Sequence, residues 1–104
     1  MPQGAISSLL IPRQVTITND SGQIVSGGTP QNVSGLNQYR RGFLFQNTST
    51  GDLRLTIDGS TASISNGIWL PPGSYFEFPD SAITTGPINL WGATTGQTFT
   101  ALEW

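Results

Sequence analysis

Most of the chain alternates between apolar and polar residues in short runs that end at Gly, Pro, Asn or Asp. In the two clearest runs, Phe43 and Phe45 share one face, and Leu53 and Leu55 share one face. Similar runs lie at residues 13–18, 67–70, 74–78, 87–92 and 97–104. Because side chains point alternately to the two faces of a strand, each run is typical of a half-buried β-strand.

Turn signals and the absence of helical periodicity define the fold class. No stretch of helical length repeats its apolar residues with a period of about 3.6 residues, and turn residues recur roughly every 8–12 residues. Asp58-Gly59 and the segment Pro71-Pro72-Gly73 are the strongest turn signals. The sequence therefore predicts an all-β protein, an antiparallel β-sandwich of about seven or eight short strands.

The chain is long enough for one domain, which we assign to residues 13–104 as a single β-sandwich domain. Residues 1–12 carry Ile6, Leu9 and Leu10 between two prolines. We interpret this part as an extended N-terminal segment or arm. The alternative is a loose terminus with a few residues docked on the domain.

Residues 21–38 have the weakest pattern of the proposed domain, because Gly, Ser, Pro and Asn interrupt the few aliphatic residues. Loops of this length are uncommon in small domains. Two interpretations remain open: a short strand at about residues 31–33, or a projecting loop that contacts a partner.

The chain contains no histidine, cysteine or lysine. These residues supply the usual general base, the strongest nucleophile and the Schiff-base amine of enzymes. The carboxylates Asp52 and Asp58 flank one predicted strand and are too far apart for a glycosidase pair. We interpret them as ordinary turn carboxylates. The sequence thus predicts no enzyme, no metal site and no cofactor.

The charge pattern excludes two classes of partner. The formal net charge is −2 and the four basic residues are all arginines. Nucleic-acid binding and membrane-surface anchoring both need clustered basic residues, so we expect neither partner. The N-terminal residues lack the features of a signal peptide, which favours synthesis in a cytoplasm.

Tryptophan residues are the strongest candidates for a contact with a partner. Trp69, Trp91 and Trp104 are suited to a protein interface, to the core, or to a platform on which sugar rings stack. If Ile68 and Leu70 are buried, Trp69 faces solvent.

Arg40-Arg41 forms a small basic spot before a strand. It either clamps a partner's carboxylate or caps a strand edge. The candidate partner-interface residues are Ile6, Leu9, Leu10, Arg40, Arg41, Trp69, Trp91 and Trp104.

Four segments carry a resemblance to a known class of proteins. They are RGFLFQNTS at residues 41–49, GDLRL at 51–55, GIWLPPGSYFE at 67–77 and GPINLWGATTGQTFTALE at 86–103. Together with residues 27–33, this series resembles small structural proteins of tailed bacteriophages, of the capsid-decoration or cement type. The resemblance covers roughly residues 22–103.

The resemblance implies a jelly-roll-like β-sandwich in a virion structural protein, located on the capsid surface and synthesised in the bacterial host cytoplasm. It implies that the protein binds the capsid exterior and stabilises contacts between capsomers. Its partners would then be the major capsid protein and further copies of itself, as a homodimer or homotrimer. The alternative function is a tail or head-fibre module that recognises a host-surface glycan. Exposed Trp residues beside Asn, Gln and Asp would favour that alternative.

Overall fold

The computed structural model describes residues 16–104, in which it places nine β-strands and no helix. The strands are β1 (Thr18–Asn19), β2 (Gly22–Gln23), β3 (Gln31–Ser34), β4 (Phe43–Asn47), β5 (Leu53–Thr56), β6 (Ile68–Leu70), β7 (Tyr75–Glu77), β8 (Ile88–Gly92) and β9 (Thr98–Glu103).

The strands form two antiparallel sheets. The first sheet has the order β1-β9-β4-β7, and β2 also pairs with β9. The second has the order β3-β8-β5-β6. If β1 and β2 count as one interrupted strand, the nine strands occupy eight positions. When these positions are numbered 1 to 8 along the chain, so that β3 is position 2 and β9 is position 8, the two sheets have the orders 1-8-3-6 and 2-7-4-5. This is the strand order of a jelly roll. The predicted all-β sandwich is confirmed.

The core lies between the two sheets. It contains the side chains that the alternation of apolar and polar residues predicts to face inward. Phe43 and Phe45 of β4 are fully buried, as are Leu53 and Leu55 of β5. Phe45 stacks on Phe99 with a ring-centroid distance of 5.4 Å. The other buried members of the cluster are Ile24, Leu70, Phe78, Ile88, Leu90 and Ala101. Burial of these side chains is the main force that holds the two sheets together.

The N-terminal part of the fold differs from its prediction. The alternation predicted a half-buried strand over residues 13–18, but β1 begins at Thr18 and Ile17 is exposed. Thr18 pairs with Glu103, the last residue of β9, so Ile17 lies beyond the end of that ladder. The first three residues of the predicted strand, 13–15, and the predicted arm, residues 1–12, lie outside the described residues. In residues 21–38, the short-strand interpretation agrees with β3.

Asn47 is a fully buried polar residue that links the two sheets. Its side-chain Nδ2 donates to the carbonyl oxygens of Leu70 in the second sheet, at 2.8 Å, and of Gly51, at 2.7 Å. Its Oδ1 accepts hydrogen bonds from the backbone N–H and the hydroxyl of Ser49. Because every polar atom of the amide has a partner, burying it is tolerated and it fixes the turn after β4.

Replacing Asn47 by alanine should destabilise the fold, because the buried hydrogen bond to the carbonyl oxygen of Leu70 and the contacts with Gly51 and Ser49 are lost. We expect the Asn47→Ala substitution to lower the free energy of unfolding by about 2–3 kcal/mol. The matched control is Gln46→Ala on the solvent face of the same strand, which should change it by about 0.5 kcal/mol or less. Urea denaturation measures both values. Equal unfolding midpoints for the two variants would contradict the role of Asn47.

Candidate functional site

In the structure, the candidate contact residues fall into two groups, one at each end of the sandwich. Residues 34–42, 84–86 and 103–104 form one end, which we call the Trp104 end. The backbone N–H groups of Arg41 and Gly42 both donate to the carbonyl oxygen of Trp104 there. The loops 48–52 and 93–97 belong to the opposite end, which we call the loop end.

Arg40 is the structural centre of the Trp104 end. Its side chain is fully buried, and its Nε donates to Oε2 of Glu103 at 2.9 Å. The two terminal nitrogens donate four more hydrogen bonds, to the carbonyl oxygens of Thr84, Gly86 and Gly35 and to the hydroxyl of Ser34. All five N–H donors of the guanidinium are therefore used inside the protein. The structure thus places Arg40 in an internal ion pair, whereas Arg41 is exposed.

A pair of carboxyl groups adjoins this guanidinium. The pKa of Asp20 is raised to about 6. Burial is the largest cause, and a hydrogen bond to Glu103 and the negative charge of Glu103 act in the same direction. The positive charge of Arg40 acts against them. Burial also disfavours the charged form of Glu103. Hydrogen bonds from Asp20, Arg40, Ser34 and Asn37 outweigh that effect and lower the pKa of Glu103 to about 2. Between these two values the pair of carboxyl groups shares one proton.

Large apolar side chains are exposed around this buried cluster. Tyr39 is 86% exposed and Leu36 is 66% exposed, and both lie in the segment that Arg40 anchors. Ile17 is 56% exposed and lies next to Thr18, whose register partner is Glu103. We call these three exposed side chains and the half-buried Trp104 the apolar surface of the Trp104 end. The candidates Ile6, Leu9 and Leu10 lie outside the described residues.

Trp104 packs against a glycine. The indole of Trp104 lies directly over Gly42, where any Cβ atom would collide with the ring. Gly42 is buried under this ring and is followed by the first core residue of β4. The position of Trp104 therefore depends on the missing side chain at Gly42.

Trp69 and Trp91 lie on the outer face of the second sheet, near the loop end. In the strand register, Arg54 of β5 pairs with Trp69 of β6 on one side and with Trp91 of β8 on the other. The three side chains thus form one row across the sheet, which we call the aromatic row. Leu70 is buried, Ile68 is half-buried and Trp69 is 56% exposed, so of the alternatives left open by the sequence the structure places Trp69 outside the core.

The aromatic row borders a cleft of about 240 Å³, the aromatic cleft. Its other lining residues include Asp52, Ile64, Thr94 and Gln97. A second cleft of about 340 Å³, the threonine cleft, lies between the loops 48–52 and 93–97 and shares Thr94 and Gln97 with the first. The two clefts are therefore adjacent.

Buried Gln97 fixes the wall between the two clefts. Its Oε1 accepts a hydrogen bond from the N–H of Thr94, at 2.9 Å. Its Nε2 donates to the carbonyl oxygen of Asp52, at 3.0 Å, and to the hydroxyl of Ser49. The side chain thus connects the two loops of the loop end, so the walls of both clefts are set before any ligand arrives.

A third cleft, of about 370 Å³, lies beside β5 and the following turn. Its polar lining groups already bind one another: Oδ1 of Asp58 accepts hydrogen bonds from the N–H and the hydroxyl of Ser60. Asn66 donates to the same hydroxyl. These contacts stabilise the turn after β5 and offer few groups to a ligand.

Two classes of site are not found in the part of the chain that the structure describes. Across residues 16–104, no three or more Asp or Glu side chains converge in a way that would hold a metal ion. In the same range no helix has the length and apolar character needed to cross a membrane.

Sequence reasoning missed the two carboxyl groups of the Trp104 end. A signal for one of them was present: in β9, Phe99, Ala101 and Glu103 share the buried face. A carboxylate on the inward face of a strand requires a buried cation or donors. Asp20 carried no comparable signal, because a turn carboxylate is ordinary in sequence.

Comparison with protein-family models, curated proteins and solved structures finds no match to this chain.

The pair of Asp20 and Glu103 should make stability depend on pH in two opposite ways. Asp20 releases its proton at about pH 6 in the folded chain and near 3.8 in the unfolded chain, so stability falls as pH rises between these values. Glu103 titrates at about 2 when folded and near 4.5 when unfolded, so its contribution is present above 4.5 and is lost as pH falls towards 2.

We expect Asp20→Asn to remove the decline above about pH 4, so that it raises the melting temperature at about pH 7 more than at about pH 4. The control is Asp80→Asn, since Asp80 is an exposed carboxylate. Thermal unfolding of the three proteins at both pH values measures the difference. A shift of the same size in Asp20→Asn and Asp80→Asn would show that the pair is not coupled to folding.

Proposed function

We propose that the protein is a phage virion structural protein that decorates the capsid exterior and stabilises contacts between capsomers. The observation that carries this proposal is the apolar surface of the Trp104 end, formed by Ile17, Leu36, Tyr39 and Trp104. It belongs to a jelly roll, a fold that viral capsid proteins and lectins use repeatedly. The sequence resemblance to capsid-decoration proteins points in the same direction.

The apolar surface has the properties of a contact site for another protein. Aromatic and aliphatic side chains that cluster on the surface of a small protein mark an interaction site more often than isolated ones do. Tyr39 contributes a large amphipathic ring, which is common at interface hot spots. The exposed Arg41 beside it can bind a carboxylate of the major capsid protein in a bidentate manner.

Rigidity of the underlying segment favours binding. Asn37, Arg40 and Gly35 are held by the buried network around Glu103, so the exposed side chains between them start from a fixed backbone. A contact surface that is ordered in advance loses less conformational entropy when it binds.

The N-terminal segment and self-association complete the proposal. Residues 1–12 precede the apolar surface in the chain, so we assign Ile6, Leu9 and Leu10 to the same contact with the shell. A homodimer or homotrimer would present several such surfaces to symmetry-related capsomers. Because a symmetric shell repeats its sites, modest affinity at each contact would be multiplied by avidity.

The double substitution Leu36→Ser/Tyr39→Ser should weaken binding to shells of the major capsid protein from the same genome. Each of these side chains contributes roughly 1.5–3 kcal/mol when fully buried, so we expect a loss of about 100-fold or more in affinity. Co-sedimentation of purified protein with empty shells measures the bound fraction. Truncation of residues 1–12 should also weaken binding.

The matched control is Tyr75→Ser, which removes an exposed aromatic ring from the outer face of the first sheet. This variant should bind shells as the unmodified protein does. Shell binding that is equally strong in the double variant, or absent in the unmodified protein, would refute the proposal.

A further inference from the structure

The geometry points to an oligosaccharide-binding groove at the loop end, formed by the aromatic cleft and the adjacent threonine cleft. This inference concerns the end of the sandwich opposite the Trp104 end. It goes beyond the proposed capsid role and does not depend on it.

The aromatic row supplies stacking surfaces with a defined spacing. Trp69 and Trp91 are each the direct register partner of Arg54. Two strand spacings therefore separate them, which is about 10 Å. Indole rings are large and amphipathic, and they pack well against the C–H faces of sugar rings. Two rings at this spacing can contact two sugar units of one extended chain.

The polar groups beside the row fit a ligand that carries hydroxyl groups. Within residues 16–104, the guanidinium of Arg54 and the carboxylate of Asp52 form no hydrogen bond or ion pair that would occupy them. Arg54 donates and Asp52 accepts, so together they match a hydroxyl group, which does both. An apolar protein partner would bury these two charges without partners, which is costly. The cleft therefore favours a saccharide.

The threonine cleft extends the groove beyond the aromatic row. Its walls carry the hydroxyl groups of Ser49, Thr50, Thr94 and other small polar residues. Together the clefts have volumes of about 240 and 340 Å³, which exceeds the space that a single sugar ring needs and suits a short oligosaccharide.

The groove is preformed. The hydroxyls of Thr48 and Thr98 lie 2.9 Å apart and join the first loop to the start of β9. The N–H of Gly27 donates to the hydroxyl of Thr95 at 2.8 Å, which holds the second loop from its other side. With Gln97 between the clefts, binding requires little ordering of the protein.

The test uses the full chain and a panel of purified oligosaccharides from bacterial O-antigens and capsular polysaccharides. The panel includes uncharged oligosaccharides and oligosaccharides that carry uronate groups. A glycan array identifies binders, and titration with each binder is followed by calorimetry and tryptophan fluorescence. We expect saturable binding of at least one oligosaccharide, with a dissociation constant below about 1 mM.

Two substitutions test the site itself. Trp69→Ala should weaken binding at least about tenfold, because it removes one stacking surface. Arg54→Gln should also weaken it, most strongly if the preferred oligosaccharide carries a uronate carboxylate. Tyr75→Ala, an exposed aromatic on the opposite sheet, should leave the affinity unchanged. Unchanged melting temperatures establish that the variants are folded.

Two results would overturn the inference: no oligosaccharide of the panel binds, or Trp69→Ala binds as tightly as the unmodified protein. Shell binding is measured in parallel with the same variants. Loss of oligosaccharide binding with shell binding retained in Trp69→Ala supports the groove as a separate site. Absence of shell binding alone would refute the capsid role and leave the groove standing.

Discussion

One buried ion pair holds the Trp104 end of this jelly roll together. Arg40 comes from the connection between the two sheets, Glu103 from the last strand of the first sheet, and Ser34 from the second sheet. The chain has no cysteine, so no disulfide supports this end. A buried charge without its partner is strongly destabilising. The backbone of residues 34–42, and the surface it presents, therefore depends on a contact between residues that are 63 positions apart.

The sequence was sufficient to predict the local features of the fold. Period-two alternation identified Phe43, Phe45, Leu53 and Leu55 as buried, because that pattern depends only on neighbouring residues. It placed Trp69 opposite Ile68 and Leu70 but left open which of the two faces is buried. The jelly-roll order was implied by the resemblance alone, since alternation says nothing about which strands pair. The exposure of Ile17 was not predicted, because it reflects where the partner strand ends.

The candidate sites were predictable only in part, because they depend on which strands pair and the alternation pattern does not contain that information. Arg40 was interpreted as half of a small basic spot before a strand, and its burial follows from Glu103 in a strand far along the chain. Trp69 and Trp91 were identified as candidates, but their grouping around Arg54 required the register of three strands. The structure also separates the two tryptophans from Trp104, so that the candidates divide between two ends with different chemistry. One end offers apolar contact area, and the other offers stacking surfaces beside the charged groups of Arg54 and Asp52.

The edges of the two sheets have a consequence for the behaviour of the protein at high local concentration. The first edge of the first sheet is split into β1 and β2, each of two residues, and its other edge strand, β7, has three. In the second sheet, β3 contains a register shift and β6 has three residues. Long, regular edge strands would template pairing between neighbouring molecules and lead to fibres. Because each edge here is short or interrupted, many copies can be crowded side by side without growing into a continuous intermolecular sheet.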